Sequence, residues 1–292
     1  MRQAENFSII AGTGACNASC PFCVSKMTGI KALGLHPQPI NWRNFEKAAQ
    51  LAKDYFVGSV MITGKGEPTL FPDQITSYLE HLEPYKFPLI DLQTNGLNLI
   101  THKSRYEPYL KKWYDLGLSW IAISIVHYLP EENHKVYTPY AKEYVDLPVL
   151  VKYLKSFGFS VRFSVTMHDG AIDTPKKVEK MIEFAKSLGV DQLTLRKIAK
   201  PLISENTDIG KWTTEHFLTD AKLSKIKEYI EKIGHRLLST GHNAGIYDVN
   251  GQNVCLTNAL TIDSDPSQIR QLIFFPDGRV KFDWQYSGAT LL

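Results

Sequence analysis

The 292-residue chain carries 43% hydrophobic residues and 33 Lys and Arg against 30 Asp and Glu, a formal charge of +3. That is enough apolar mass for a sizeable core and too little excess charge for a polyanion-binding surface. No apolar run is long enough to cross a bilayer, and the opening "MRQAENFSII" lacks the basic-then-apolar layout of a secretion signal. A cytoplasmic location is the expectation, with no membrane partner. In that reducing setting clustered cysteines do not read as a disulfide framework. The nearest approach to a basic stripe, "LRKIAKP", is too short to grip a long nucleic acid.

Apolar β-rich runs alternate with stretches of helical period up to about residue 200. The strand candidates are 7–13, 58–64, 88–94, 119–126, 159–167 and 191–197. Helices are expected near 41–56, 72–83, 103–116, 145–157 and 175–187, the last with Thr174 as N-cap, Pro175 in the first turn and Gly189 as stop. Strands joined by right-handed helical crossovers run parallel. The fold class is therefore α/β, either an open partial (β/α)6 barrel or a doubly wound sheet, and ligands belong at the carboxyl ends of the strands.

Beyond residue 200 the pattern changes to a helix at 214–234 and two hairpin signals, "IYDVNGQNVCL" and "LIFFPDGRVKFDW". Asn250-Gly251 and Asp277-Gly278 are their turn dipeptides. No Gly/Ser/Pro linker intervenes. Residues 206–292 are thus expected as a helix and β-hairpin extension, a small β-rich cap packed on the 1–205 barrel within the same domain.

Three of the four cysteines fall in "GACNASCPFCVSKMTG" (13–28), at Cys16, Cys20 and Cys23. A zinc site would need a fourth ligand, and the next histidine, His36, is thirteen residues beyond Cys23 with no second C-x2-C in the chain. Unligated buried cysteines are more often scattered than clustered. An iron-sulfur cluster ordinarily takes four thiolates, so three leave one iron open to a further ligand. The cluster is favoured, with zinc and unligated thiols as the alternatives.

Two further segments end predicted strands. In "TGKGEP" (63–68), Gly64 and Gly66 permit close backbone approach and Glu67 offers an anion to an ammonium, although such a stretch is also an ordinary strand-exit turn. In "LQTNG" (92–96), Thr94 and Asn95 make a polar turn that also suits an Asx-type strand terminator.

With these segments in this order the chain resembles the radical S-adenosylmethionine (SAM) superfamily, whose signature is C-x3-C-x-aromatic-C after the first barrel strand. "CNASCPFC" fits it, with Phe22 as the aromatic. The resemblance runs over about residues 7–200 and implies one 4Fe-4S cluster on Cys16, Cys20 and Cys23 and SAM as cosubstrate. It implies that Gly64, Gly66 and Glu67 receive the methionine amino group, that Thr94 and Asn95 line the SAM site, and that Ser124 meets the ribose or carboxylate. Ser164 on strand five and Arg196 on strand six face the barrel mouth; Arg196 suits the SAM carboxylate, a substrate phosphate or the surface. Lys65 stands where the family most often has glycine and puts a cation near the site. The implied chemistry is one-electron cleavage of a carbon-sulfur bond of SAM, giving a 5'-deoxyadenosyl radical that takes hydrogen from an unactivated C-H bond. An external donor such as flavodoxin or ferredoxin would supply the electron.

The turn at Pro276–Val280 resembles the one near which many members carry cysteines for further clusters, but here Asp283 and Trp284 follow and Cys255 stands alone, so a single cluster is expected. The build suits a small substrate, and the best specific reading is a nucleoside or nucleotide lyase releasing queuine from queuosine or its 5'-phosphate. Arg196, Lys197 or Arg270 would then receive a phosphate, Lys65 counts as a substrate-side cation, and Tyr247 or Trp284 would stack on a base or simply fill the core. His127 and His168 follow strands four and five, to orient substrate or satisfy a turn. The other classes are a glycyl-radical-type activating enzyme acting on a protein partner, another nucleotide-modifying enzyme, and a non-catalytic iron-sulfur sensor.

Overall fold

A computed structural model describes residues 4–28, 33–34, 36–198, 204–239, 244–258, 269–284 and 286–292. The six β-rich runs form β1 (Asn6–Ile10), β2 (Ser59–Thr63), β3 (Leu89–Thr94), β4 (Trp120–Ile125), β5 (Ser160–Met167) and β6 (Gln192–Lys197). Each pairs in parallel with the next. Helices return the chain between them at Trp42–Asp54, Pro72–Leu82, Lys103–Asp115, Leu147–Lys155 and Pro175–Ser187. The signals read from sequence act locally: Thr174 accepts from Lys177 N at 3.4 Å, Pro175 opens the first turn, and Gly189 leaves the helix at φ +67°.

The β-rich tail is present, and its strands lengthen the barrel sheet at both edges. They are β7 (His235–Ser239), β8 (Gly245–Val249), β9 (Gln252–Asn258), β10 (Gln271–Phe274) and β11 (Val280–Lys281). Among the described residues the sheet order is β11-β10-β1-β2-β3-β4-β5-β6-β9-β8-β7, with β9 parallel to β6 and β10 parallel to β1. Asn250-Gly251 closes β8 on β9 with both residues at positive φ, +53° and +83°, the geometry of a two-residue hairpin. The turn at Pro276–Gly278 does a second job. Its carbonyls accept from Asn41 N at 2.9 Å and Asn44 Nδ2 at 3.0 Å, steadying the start of the helix Trp42–Asp54.

The single helix expected at 214–234 is two, Thr207–Glu215 and Asp220–Ile233. Thr219 accepts from Lys222 N at 3.3 Å and so begins a new helix where the sequence showed only continuous period. A short helix, Pro130–Tyr137, also follows β4, with Asn133 Oδ1 accepting from Val126 N and His127 N at the strand exit.

Strand alternation divides the sheet into two faces. Phe7, Ile9, Val60, Ile62, Leu92, Ile123, Phe163 and Leu195 are fully buried in the main core. The other parity carries most of the polar residues, Ser8 on β1, Thr63 on β2, Asp91 and Gln93 on β3, Ser124 on β4, Arg162, Ser164 and Thr166 on β5, and Thr194 and Arg196 on β6, with Ile10, Met61, Trp120 and Ala122 among them. The register sets Ser124, Ser164, Thr194 and Cys255 in one row and Thr166, Arg196 and Thr257 in another. This is the hydrophilic face on which the site is built.

The tail is anchored to the main core through Phe274, fully buried, with its ring 5.1 Å from Phe45 and 6.3 Å from Tyr78. Phe274→Ala is expected to cost about 3–5 kcal/mol in urea unfolding. A loss under about 1 kcal/mol would show that β10 does not brace the first edge of the sheet.

Candidate active site at the strand exits

Three loops meet where β1, β2 and β3 end. The β1 loop turns at Gly12, φ +75°, where a Cβ would lie 2.1 Å from the Phe71 ring. It then runs flush against the "GKGEP" loop: Glu67 N donates to Ala15 O at 2.9 Å, and a Cβ on Gly66 would stand 1.9 Å from that same oxygen. Only glycine allows this approach.

Glu67, 3% exposed, ties the second loop to the third. Its Oε1 accepts from Thr69 N (2.9 Å), Thr69 Oγ1 (2.6 Å) and Thr94 Oγ1 (2.6 Å), and its Oε2 accepts from Asn95 N (2.9 Å). Burial raises its pKa, and those four donors pull it back. The expected anion for an ammonium is thus largely engaged by its own loops, with lone-pair capacity left mainly on Oε2. Asn95 extends the network, donating to Asn17 Oδ1 at 2.7 Å, while Asn17 donates to Asn98 Oδ1 at 3.0 Å. The cysteine loop is tied down further where Tyr140 Oη donates to Asn17 O and Ser19 N donates to Tyr137 O.

The result is a cavity of about 180 Å³ lined by Cys16, Cys20, Cys23, Gly64, Lys65, Gly66, Glu67, Thr94, Asn95 and Ser124 together. Lys26, Gln93, Thr63 and Tyr137 join them, and sequence reasoning missed all four. The cysteines are free thiols. Although Cys16 is exposed at its edge, desolvation pushes its thiol up to about 11, with the Ala18 backbone hydrogen bond opposing; desolvation also drives Cys20 well up. Both thiols are neutral without a metal and must release protons to bind one.

A second cavity, about 280 Å³, shares Ser25, Thr63, Gly64, Lys65, Gln93 and Ser124 with the first. It adds Ser164, Thr166, Arg196 and Trp284. Lys65, 6% exposed, stands between the two cavities, donating to Thr28 O (2.6 Å) and Thr28 Oγ1 (3.0 Å) with its Nζ 5.3 Å from the Trp284 ring. Desolvation pulls its pKa down to about 8, while the nearby Cys23 acts the other way.

Six expected residues line neither cavity. Lys197 has the core-side parity, and its Nζ lies 5.1 Å from the Phe217 ring. Tyr247 is buried in the main core on β8, with its hydroxyl 3.3 Å from Glu231 Oε1. Arg270 sits at the opposite end of the sheet, where its carbonyl accepts from Glu5 N at 2.9 Å and its Nε lies 4.0 Å from Glu5 Oε2. These three are corrections to the substrate assignment: strand parity, burial and strand direction carry them away. His127 serves a turn, its Nδ1 accepting from Leu129 N at 3.1 Å. Phe22 and His168 form a separate aromatic group, with Phe22 5.8 Å from both His168 and Trp212, and Trp212 stacked on His216 at 3.9 Å.

Among the described residues no three His, Cys, Asp or Glu side chains are grouped around a single ion. A cubane makes a different demand, spreading its thiolates over several irons. The family model of the radical SAM superfamily matches residues 10–185, more than half of the chain. The chain belongs to the radical SAM superfamily.

Its structure superposes on SuiB of Streptococcus suis bound to S-adenosylmethionine with TM-score 0.66 at 14% identity, over 99% of this chain and 62% of that one. SuiB bound to the precursor peptide SuiA gives 0.61 at 14% identity, over 96% and 59%. Methylornithine synthase (PylB) gives 0.56 at 15% identity, over 90% and 74%. At these identities the likeness is one of fold, and the chain spans about three fifths of the SuiB chain. No curated protein sequence matches it.

The cofactors of this radical SAM chain are a 4Fe-4S cluster and SAM. The donor set fits them: three free thiols on one loop face a cavity whose opposite wall is the glycine-bearing loop and the Thr94-Asn95 turn. Glu67→Gln would aim an NH2 group at donors that now meet oxygen. It should lower stability by about 1–3 kcal/mol in thermal melting of the metal-free chain; an unchanged melt would show that the carboxylate does not hold the loops together.

Proposed function

We propose that this protein is a radical SAM enzyme that acts on a nucleoside or nucleotide held in the second cavity, and that its reaction releases queuine from queuosine or its 5'-phosphate. The observation that carries the reading is the shared wall. Residues lining the cysteine cavity, namely Thr63, Gly64, Lys65, Gln93 and Ser124, also line the larger polar cavity beside it. A substrate there lies next to SAM.

In this reading Cys16, Cys20 and Cys23 hold the cluster. Gly64, Gly66, Thr94, Asn95 and Ser124 frame SAM, with Glu67 positioning the loops and offering Oε2. When bound, the cluster and SAM supply one-electron chemistry that ends in hydrogen abstraction from an unactivated C-H bond. The chain's own contribution is to place the target carbon and exclude water. Trp284 gives the second cavity an aromatic wall suited to a base, and the hydroxyls of Ser164 and Thr166 suit a sugar. Because Trp284 comes from the tail, residues 206–292 act with residues 1–205 as one domain. An external one-electron donor such as flavodoxin or ferredoxin completes the system.

The test is anaerobic reconstitution with iron, sulfide, reductant and SAM, in the presence of queuosine or queuosine 5'-phosphate. Queuine and 5'-deoxyadenosine should appear together, and Cys20→Ala should abolish both along with the brown cluster absorbance. SAM cleavage without queuine would overturn the lyase assignment, and turnover of a peptide instead would replace it with a protein-directed reaction. No SAM cleavage under any reductant would leave a sensor.

A further inference from the structure

Arg196 is a half-buried cation with no ion-pair partner among the described residues. Its guanidinium makes no hydrogen bond or ion pair among the described residues, and its Nε is shut off from solvent. Arg162 on the neighbouring strand also has an unpartnered buried Nε. Unlike that of Arg196, though, its guanidinium is paired: Nη1 donates to Asp91 Oδ2 at 3.0 Å, and the group lies 5.1 Å from the Trp120 ring. That pairing engages Asp91, the carboxylate nearest in charge effect to Arg196. Lys65, which lines the same cavity, also has no carboxylate within ion-pair distance among the described residues. Two of its three N-H groups go to Thr28 and one is left over.

Cations held in one partly desolvated cavity without a paired carboxylate are stabilised by an incoming anion. We propose that the second cavity recognises an anionic group of the substrate, a phosphate monoester or a carboxylate, through Arg196 and Lys65. The planar fork of Arg196 suits two oxygens of such a group, and Ser164 and Thr166 add hydroxyl donors beside it. The anion belongs to the substrate and not to SAM, because Arg196, Ser164 and Thr166 line the second cavity and none of them lines the cysteine cavity. The proposal rests on the functional reading only in assigning this cavity to the substrate. Within that reading it selects the charged form of a nucleotide over the neutral nucleoside.

The test is calorimetric titration of the full-length, cluster-loaded protein under anaerobic conditions without reductant. The probes are guanosine 5'-monophosphate, guanosine, inorganic phosphate and acetate. The monophosphate should bind about tenfold or more tightly than guanosine, and Arg196→Met should erase that difference while changing SAM affinity less than about twofold. Inorganic phosphate binding above acetate assigns a phosphate site, and the reverse order assigns a carboxylate site. Without ligand, Arg196→Met should melt at or above the wild-type temperature, since it breaks no hydrogen bond or ion pair among the described residues and removes a partly desolvated charge. Lys65→Met should weaken the monophosphate in the same direction.

Equal binding of both anions by wild type and Arg196→Met would overturn the proposal. So would a parallel loss of SAM affinity, which would place Arg196 at the cosubstrate. SAM cleavage with dithionite is scored separately. A protein that cleaves SAM but ignores anions loses only this proposal, whereas one that prefers anions but never cleaves SAM loses the enzymatic reading.

Discussion

A buried carboxylate must find donors, and Glu67 finds them on two different strand exits while its backbone N-H reaches a third. Thr69 is part of its own loop, Thr94 and Asn95 end β3, and Ala15 belongs to the loop that carries the cysteines. One residue thereby fixes the relative positions of the loops that leave β1, β2 and β3. Because each of these contacts is short and enclosed, removing the acceptor leaves several donors stranded at once, and no nearby side chain replaces it. Gly66 makes the same junction possible sterically, since any side chain there would meet the backbone of Ala15.

The sheet explains why the site continues sideways. Its core-facing parity is apolar except at the strand ends, where Thr94 and Lys197 fall, whereas the opposite parity carries hydroxyls, amides and arginines from β2 to β6. Part of that polar face, Thr63, Gln93, Ser124, Ser164, Thr166 and Arg196, lines the two adjoining cavities. The cysteine cavity opens onto this polar face through Lys65, Gln93 and Ser124, so cofactor chemistry and substrate recognition share a wall. The tail serves the same end by completing both sheet edges and delivering Trp284 to the second cavity.

Much of this was legible in sequence. The cysteine spacing, the glycines of "TGKGEP" and the "LQTNG" turn each express a local requirement, and local requirements survive in the order of residues. The failures share a cause. Residue type alone suggests a substrate role for Lys197, Tyr247 and Arg270, but their places depend on strand parity, burial depth and the end of the sheet at which they sit. Parity was in fact available: "LIDLQT" and "VRFSVTM" alternate polar with apolar, and that alternation would have found Gln93. Tyr137 and the break at Thr219 depend on tertiary packing and a single cap, signals too weak to separate from continuous helical period.

The central claim is that the Cys16, Cys20 and Cys23 loop presents an iron-sulfur cluster with one iron open to SAM. Electron paramagnetic resonance of the anaerobically prepared, reduced protein tests it most directly when recorded with and without SAM. The account predicts a 4Fe-4S signal, with about four irons per chain, whose g-values move when SAM is added. Stoichiometric zinc in place of iron, or a cluster signal indifferent to SAM, would contradict it.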